Sequence, residues 1–250
     1  MSEAAFFELY HPGLPRLGPG SSQDTARALA LVPGLSDEPL ILDVGCGNGA
    51  QTLALARLLP HARIAAIDLY PHFLEELRRR ACQEGVGERI EPVLGDMSSL
   101  NFQPESFDLI WSEGAAYHIG FAVALSSWRT LLKPGGCIAL TDISWFHDAP
   151  PAEVRDFWNR EFPGMESEAS HQVHVHKVGF DLLGQFRLPA ECWWKDYYTP
   201  LSMELAGFRL RHADKPEWLA VADMAQEEMD IHRRYSDYFG YTFFVCRRRD

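Results

Sequence analysis

The feature that most limits the fold is an alternation that runs from residue 22 to about residue 190. Short apolar runs alternate there with segments whose apolar residues recur at helical spacing. This pattern is typical of parallel strands joined by crossover helices. It predicts strands at 40–44, 63–68, 90–94, 107–112, 137–143 and 181–188, and a last strand at 240–249. It predicts helices at 23–32, 49–59, 71–84, 121–132 and 167–178, with the "KPGG" of 133–136 as a stop before the fifth strand.

Two segments interrupt the alternation, and we interpret both as a helical cap on a single domain that spans 1–250. They are 145–165 and 189–239, and residues 1–35 add an N-terminal lid with a helix. The second segment is rich in aromatic residues, namely Trp193, Trp194, Tyr197, Tyr198, Trp218, Tyr235 and Tyr238. Such residues either form the core that holds a cap in place or enclose a flat or quaternary-ammonium substrate.

Composition excludes several classes of partner. The chain carries 35 acidic and 23 basic side chains, for a formal charge of −12, which opposes binding to a nucleic-acid backbone. Its five cysteines are scattered without C-x-x-C spacing, so neither a zinc site nor a disulfide framework is indicated. No apolar run is long enough to span a membrane, and no leader pattern precedes the fold. We therefore predict a soluble, cytoplasmic protein with no membrane and no nucleic-acid partner.

The stretch "LDVGCGNGAQTLALA" (42–56) is the strongest sign of function. Gly45, Gly47 and Gly49 fall in the turn between the first strand and its helix. Glycine permits a tight turn with positive φ and lets a ligand approach the backbone and the helix N-terminus. The spacing also fits a relaxed dinucleotide fingerprint, and Asp68 after the second strand suits a ribose diol for either kind of nucleotide cofactor. A turn that serves strand–helix packing alone is the remaining alternative.

A series of ordered motifs resembles the class I S-adenosylmethionine-dependent methyltransferases. They are "LDVGCGNG", "AAIDLY", "VLGDMSSLNF", "FDLIWSEGAAYHI" and "LLKPGGCIALTD". The flanking segments "RLGPGSSQDTARAL", "LPAECWWKDYY" and "YFGYTFFV" resemble a small-molecule branch related to the ubiquinone/menaquinone-biosynthesis methyltransferases. The resemblance implies a doubly wound, mostly parallel seven-stranded Rossmann-like sheet with an antiparallel last strand. It also implies S-adenosylmethionine as cofactor, S-adenosylhomocysteine as product and a small-molecule acceptor, without naming that acceptor.

The resemblance also implies roles for individual residues. Asp43 would meet the α-ammonium of the cofactor, directly or through water, Asp68 would accept the ribose hydroxyl protons, and Asp96 would accept from the adenine amine. The other residues predicted to contact the cofactor are Gly45, Gly47, Asn48, Gly49, Leu69, Met97 and Ser112. Two simpler interpretations stay open, since Asp96 could cap the turn that follows it and Asp68 could merely end a strand.

Catalytic demands on such a chain are modest. Methyl transfer from a sulfonium is an in-line displacement with a neutral leaving group, so alignment and exclusion of water matter most. A base is useful only if the acceptor must lose a proton, and the candidates are Glu113, Tyr117 and His118. His118 could instead be a packing residue, and Tyr117 could orient the substrate or belong to the wall. The absence of an Asn/Asp-Pro-Pro-Tyr tetrad argues against methylation of exocyclic amines in nucleic acids.

The sequence leaves several other interpretations open. His171, His174 and His176 are close in sequence, but they do not share one helix face, so we predict a polar helix surface and no metal. A nicotinamide-dependent oxidoreductase is an alternative function, although no Tyr-x-x-x-Lys dyad supports it. A non-catalytic S-adenosylmethionine-binding protein is another. A homodimer is possible, because aromatic-rich caps often bury against a second copy.

Overall fold

The computed structural model describes residues 2–250, which form one twisted sheet flanked by helices. The strands are β1 (Leu40–Val44), β2 (Arg63–Asp68), β3 (Ile90–Leu94), β4 (Phe107–Ser112), β5 (Leu132–Trp145), β6 (Glu166–Ser167), β7 (Phe180–Arg187) and β8 (Phe239–Arg248). Their order is β3-β2-β1-β4-β5-β8-β7, and the two-residue β6 pairs with β5. Only β8 is antiparallel to its neighbours, β5 and β7.

The helices lie in the connections and in the cap. They are α1 (Glu3–Leu9), α2 (Ser22–Leu29), α3 (Ala50–Leu58), α4 (Pro71–Gln83), α5 (Phe121–Trp128), α6 (Ala152–Glu161), α7 (Glu168–Lys177), α8 (Glu191–Trp193), α9 (Thr199–Arg211) and α10 (Pro216–Tyr235). A π-helical turn, Trp194–Tyr198, joins α8 to α9. Local chemistry sets the helix starts: the Ser21 hydroxyl accepts from the Asp24 amide at 3.1 Å, and Pro71 occupies a first turn. In the described residues 2–250 no helix combines the length and apolar character that a membrane span requires.

Side-chain alternation on the strands builds a core on each face of the sheet. In β1, Ile41 belongs to one buried cluster, whereas Leu42 and Val44 belong to the other. In β4, Trp111 and Ile110 divide in the same way. Both faces of a parallel sheet must be covered, which explains why these strands are nearly continuous apolar runs.

The strand order reverses at β1, and this reversal positions the site. Leu42 of β1 pairs with Ala65 of β2 on one side and with Ile110 of β4 on the other. The chain therefore leaves β1 toward β2 and β3 and later returns to β4 and β5. The loops at the carboxyl ends of β1 and β4 separate there and leave a crevice, the usual ligand site of a doubly wound sheet.

The predicted fold class is confirmed, and the first four strands have the predicted bounds. Two details differ. The "KPGG" segment lies inside β5 and does not precede it, because a register shift between the pairs at Phe107 and Leu109, with Gly135 at φ 69°, absorbs the extra residues as a bulge. The sheet also gains the short eighth strand β6, which is too brief to leave a periodic signal in the sequence.

The cap aromatics pack mainly on one another. Trp193 stacks on His232 with ring centroids 4.6 Å apart, and Trp218 stacks on His212 at 4.0 Å. The N-terminal helix α1 joins this layer through Glu8, which pairs with His212 at 2.7 Å. Most of these aromatic side chains are thus the interior that holds the cap to the domain.

The prediction of a polar surface on α7 is wrong for one of its histidines. His171 is 3% exposed and packs its ring 4.4 Å from Phe121. Burial lowers its pKa to about 4, so this ring is neutral at pH 7 beside the Asp142 carboxyl 3.9 Å away. His174 instead bonds Glu166 at 2.8 Å, and His176 faces Arg249 at 3.0 Å. The histidines therefore turn to different partners, and periodicity alone could not reveal that α5 covers His171.

Candidate functional site

A cavity of about 490 Å³ opens at the carboxyl ends of the strands where their order reverses. Its volume lies in the range of small-molecule and cofactor sites. The wall combines the loop after β1, the ends of β2 and β3, the exit from β4, and the N-terminal segment. Of the predicted site residues it includes Gly45, Gly47, Asn48, Asp68, Leu69, Asp96, Met97, Glu113, Tyr117 and His118.

The glycine loop adopts backbone conformations that other residues rarely reach. Gly45, Gly47 and Gly49 have φ of 71°, 54° and 87°. A Cβ on Gly45 would overlap the Ala115 methyl, and one on Gly49 would overlap Leu77. Gly49 is the N-cap residue of α3 and packs against Leu77, outside the cavity lining. The loop therefore presents its backbone to a ligand at Gly45 and Gly47 and allows close strand–helix packing at Gly49.

Asp68 and Leu69 form the wall at the end of β2. The Asp68 carboxylate accepts from the Gly47 amide at 2.8 Å and from the Tyr70 amide at 3.0 Å, one on each oxygen. Burial raises its pKa, although these amides favour the charged form. Each oxygen keeps lone-pair capacity for one hydroxyl of a diol. Leu69 beside it is 52% exposed, which offers apolar surface to a flat ring.

Asp96 and Met97 form the wall after β3. One Asp96 oxygen accepts from the Ser98 amide at 2.8 Å, and this bond lowers the pKa of the carboxyl. The turn-capping interpretation of Asp96 is therefore realised, and its second oxygen has no bond to the described chain. The Met97 carbonyl accepts from the Trp128 indole at 3.1 Å, and Met97 lines the cavity.

Three predicted residues do not line the cavity: Asp43, Ser112 and the packed Gly49. Asp43 is fully buried and accepts from the Thr52 hydroxyl at 2.5 Å and the Gln51 amide at 3.4 Å. Burial raises its pKa to about 7, and the neighbouring carboxylates add to the effect. Because Gln51 does line the cavity, Asp43 reaches a ligand only through Gln51 or water. The Ser112 hydroxyl donates to the Val44 carbonyl at 2.9 Å and ties β4 to β1.

The N-terminal segment forms one whole side of the cavity, which the sequence indicated only as a lid. Phe6, Phe7, Tyr10, Arg16 and Leu17 lie in the wall. These residues lie far from the motifs in sequence, and only the flanking "RLGPGSS" hinted that they belong to the site.

Asn48, predicted to contact the cofactor, connects the glycine loop to the N-terminal segment through hydrogen bonds. Its side chain is 2% exposed and donates to the Pro12 carbonyl at 3.1 Å and to the Leu14 carbonyl at 2.6 Å. Arg80 of α4 donates to the same two carbonyls. The glycine loop and the segment above it are thus held as one unit.

Glu113 is held by several donors at once. Its carboxylate accepts from Arg16 at 2.6 Å, from the Thr25 hydroxyl at 2.7 Å and from the Trp111 indole at 2.9 Å. The Arg16 and Glu113 side chains are 8% and 2% exposed. Both carboxylate oxygens accept from these donors, so the contacts of Glu113 favour a positioning role over that of a base.

Tyr117 and His118 share the short helical turn after β4, with ring centroids 4.2 Å apart. Burial, followed by the charges of Glu228 and Asp142, raises the pKa of Tyr117. The pKa of His118 is lowered because the cavity wall removes water from one side of the ring, although the ring remains exposed at the mouth. A neutral His118 at pH 7 can accept a proton, so it is the better placed of the candidate bases.

These features fit a ligand that joins an adenosine to an amino acid. Asp68 matches a diol, Leu69 matches a flat base, and the cationic Arg16 lines the same cavity. The Arg16 Nε is buried without a hydrogen-bond partner in residues 2–250, and such a donor complements a carboxylate. No group of three or more His, Cys, Asp or Glu side chains arranged for a metal occurs within these residues.

Comparison with known proteins also indicates a methyltransferase. Residues 41–136 match the family described as "Methyltransferase domain". The erythromycin 3''-O-methyltransferase of Saccharopolyspora erythraea is 33% identical over 145 residues, which cover 57% of this chain and 47% of that protein. The uncharacterized methyltransferase YodH of Bacillus subtilis is 25% identical over 213 residues, 84% of each chain. The chain spans about half the length of several curated relatives that it matches.

Solved structures share the whole architecture. A methyltransferase from Geobacter sulfurreducens, solved in complex with S-adenosyl-L-homocysteine, superposes with a TM-score of 0.82 at 18% identity, covering 98% of both chains. At this identity the likeness concerns the fold, including the cap and the N-terminal segment.

Proposed function

Because the chain belongs to the class I S-adenosylmethionine-dependent methyltransferases, we propose that it transfers a methyl group from this cofactor to a small-molecule acceptor. The observation that carries the proposal is the single cavity in which the glycine loop, the Asp68 carboxylate and the exposed Leu69 meet the exit of β4. Relatives named as an erythromycin 3''-O-methyltransferase and a trans-aconitate 2-methyltransferase support a small-molecule acceptor. The net charge of −12 supports a soluble protein without a nucleic-acid partner, and the scattered cysteines are consistent with the cytoplasm.

In such a reaction the residues of the chain exclude water, orient the acceptor and, where needed, accept a proton. Bound S-adenosylmethionine supplies an electrophilic methyl group on a sulfonium, and the sulfur leaves as a neutral thioether. Phe6, Phe7 and Tyr10 cover the cavity and exclude water, while Tyr117 orients the acceptor. His118 takes a proton if the acceptor must lose one.

Calorimetric titration tests the proposal. We expect micromolar binding of S-adenosylmethionine and S-adenosylhomocysteine and no binding of NAD. Release of S-adenosylhomocysteine with a panel of small acceptors then tests transfer. Binding of NAD alone would overturn the cofactor, and cofactor binding without transfer to any acceptor would favour a non-catalytic binding protein.

Substitutions at the β4 exit separate the cofactor side from the acceptor side. Tyr117→Phe and His118→Ala should leave the affinity for S-adenosylmethionine nearly unchanged, because both lie beyond the glycine loop. Calorimetry of each variant measures this directly. Loss of cofactor binding in either variant would place that residue on the cofactor side.

A further inference from the structure

A cluster of tyrosines around one carboxylate adjoins the inner wall of the cavity. Tyr10 and Tyr117 line the cavity itself. Tyr241 of β8 lies against Gly114 of the same wall, since a Cβ built on that glycine would stand 3.3 Å from the Tyr241 ring. We call these residues, with Tyr197, Tyr198 and Glu228, the tyrosine cluster.

The remaining members come from the cap. Tyr197 lies with its ring centroid 6.5 Å from that of Tyr10 and stacks on Tyr198 at 4.8 Å. The Tyr198 hydroxyl donates to the Glu228 carboxylate of α10 at 2.7 Å. Tyr197 and Tyr198 lie in the π-helical turn, and such turns occur frequently at functional sites.

Glu228 lacks the partner that a buried carboxylate normally has. Its helix neighbours Glu227 and Asp230 each pair with an arginine, at 2.8 Å and 2.9 Å. In residues 2–250 Glu228 makes no ion pair, and Tyr198 is its one side-chain hydrogen-bond donor. An unpaired carboxylate away from bulk water is costly, and either a retained proton or a complementary positive charge offsets that cost.

Glu228 is partly accessible, and its charge acts on two tyrosines of the cavity wall. Burial raises the pKa of Glu228, and part of the residue's surface stays accessible. Tyr10, Tyr197 and Tyr241 are more deeply buried, with 5%, 7% and 6% of their surface exposed. After burial itself, the Glu228 charge contributes to raising the pKa of Tyr10 and Tyr117, the two cluster members in the cavity wall.

We propose that the acceptor is a small molecule with a positively charged amine or ammonium group, held by the Glu228 carboxylate and the faces of the surrounding tyrosines. This inference rests on the proposed methyl transfer and specifies its acceptor. Aromatic faces attract cations through the ring quadrupole, and a carboxylate at the end of the aromatic wall supplies the opposite charge. A neutral acceptor of the same shape leaves Glu228 unpaired and binds less well.

The test compares two probes of nearly equal shape, choline and its uncharged analogue 3,3-dimethyl-1-butanol. Both are titrated into the protein saturated with S-adenosylhomocysteine. Because a desolvated cation–π contact and a charge pair together exceed 1.4 kcal/mol, we expect choline to bind at least about tenfold more tightly. Glu228→Gln should abolish this preference, whereas Glu227→Gln, which alters an exposed neighbour on the same helix, should retain it.

Equal affinity for the two probes, or a preference that survives Glu228→Gln, would overturn the inference. The comparison of the two probes on the unaltered protein tests the inference even if the Glu228 variant fails to fold. Failure of S-adenosylhomocysteine itself to bind would overturn the proposed function instead, so the two failures are distinguishable.

Discussion

At the scale of single residues, a substitution of Asp68 is the most direct test of cofactor recognition. Asp68→Asn removes the charge and one acceptor while keeping the side-chain volume. Since hydrogen bonds to a charged group contribute about 1.5–3 kcal/mol, we expect the affinity for S-adenosylmethionine to fall about 10- to 100-fold. Calorimetry measures the loss, and Asp181→Asn on the edge strand β7 is the control. Unchanged affinity in the Asp68 variant would remove this carboxylate from the cofactor site.

A substitution of Glu113, also at the residue scale, distinguishes a positioning role from that of a catalytic base. Glu113→Gln leaves the buried Arg16 charge without its partner, so the free energy of unfolding should fall by about 3–5 kcal/mol. Urea denaturation measures this change. Glu227→Gln, which breaks an exposed pair with Arg160, should cost only about 0–1 kcal/mol. Full stability together with lost turnover would show instead that Glu113 acts as the base.

At the scale of elements, α10 is held to the sheet partly by a buried neutral histidine. His232 is 1% exposed, stacks on Trp193, and has a ring Nδ1 without a partner in residues 2–250. Burial lowers its pKa to about 4, against about 6.5 in an unfolded chain. Between these values the unfolded state binds more protons, so this histidine makes the protein less stable as pH falls.

His232→Phe should remove that dependence. We expect a variant as stable as the parent or more so at pH 7, with an advantage that grows toward about 2–3 kcal/mol as pH falls from 6.5 to 4. Urea denaturation of both proteins at successive pH values gives the difference, in which titrating groups common to both cancel. A difference that does not vary with pH would mean that His232 is protonated in the folded cap.

At the scale of the whole molecule, we expect the N-terminal segment, which contributes residues between 6 and 19 to the cavity wall, to act as a lid whose closure is coupled to the ligand. A ligand at 100 times its Kd stabilises the bound form by about 2.7 kcal/mol, and a local lid should gain protection first. We therefore expect S-adenosylhomocysteine to slow amide hydrogen exchange in α1 and residues 10–20 more than in α7. Equal slowing throughout the chain would indicate global stabilisation without a separate lid.

The sequence determined the parts of this protein that depend on local spacing. Short apolar runs specified the strands, which are buried on both faces, and apolar residues at a period of 3.6 specified the crossover helices, each of which buries one face. The glycines of 45–49 specified the loop, because only glycine reaches those φ values without strain. Asp68 and Leu69 follow from the same logic, since the end of β2 must lie beside the end of β1.

Only the tertiary structure decided which distant side chains complete the site. Arg16 and Glu113 lie 97 residues apart in sequence, and Asn48 contacts carbonyls more than 30 residues away. Periodicity carries no information about such pairs, because they depend on the path of the lid and cap above the sheet. For the same reason Glu228, one of several acidic residues on α10, becomes distinctive only when tyrosines from four separate elements of the fold surround it.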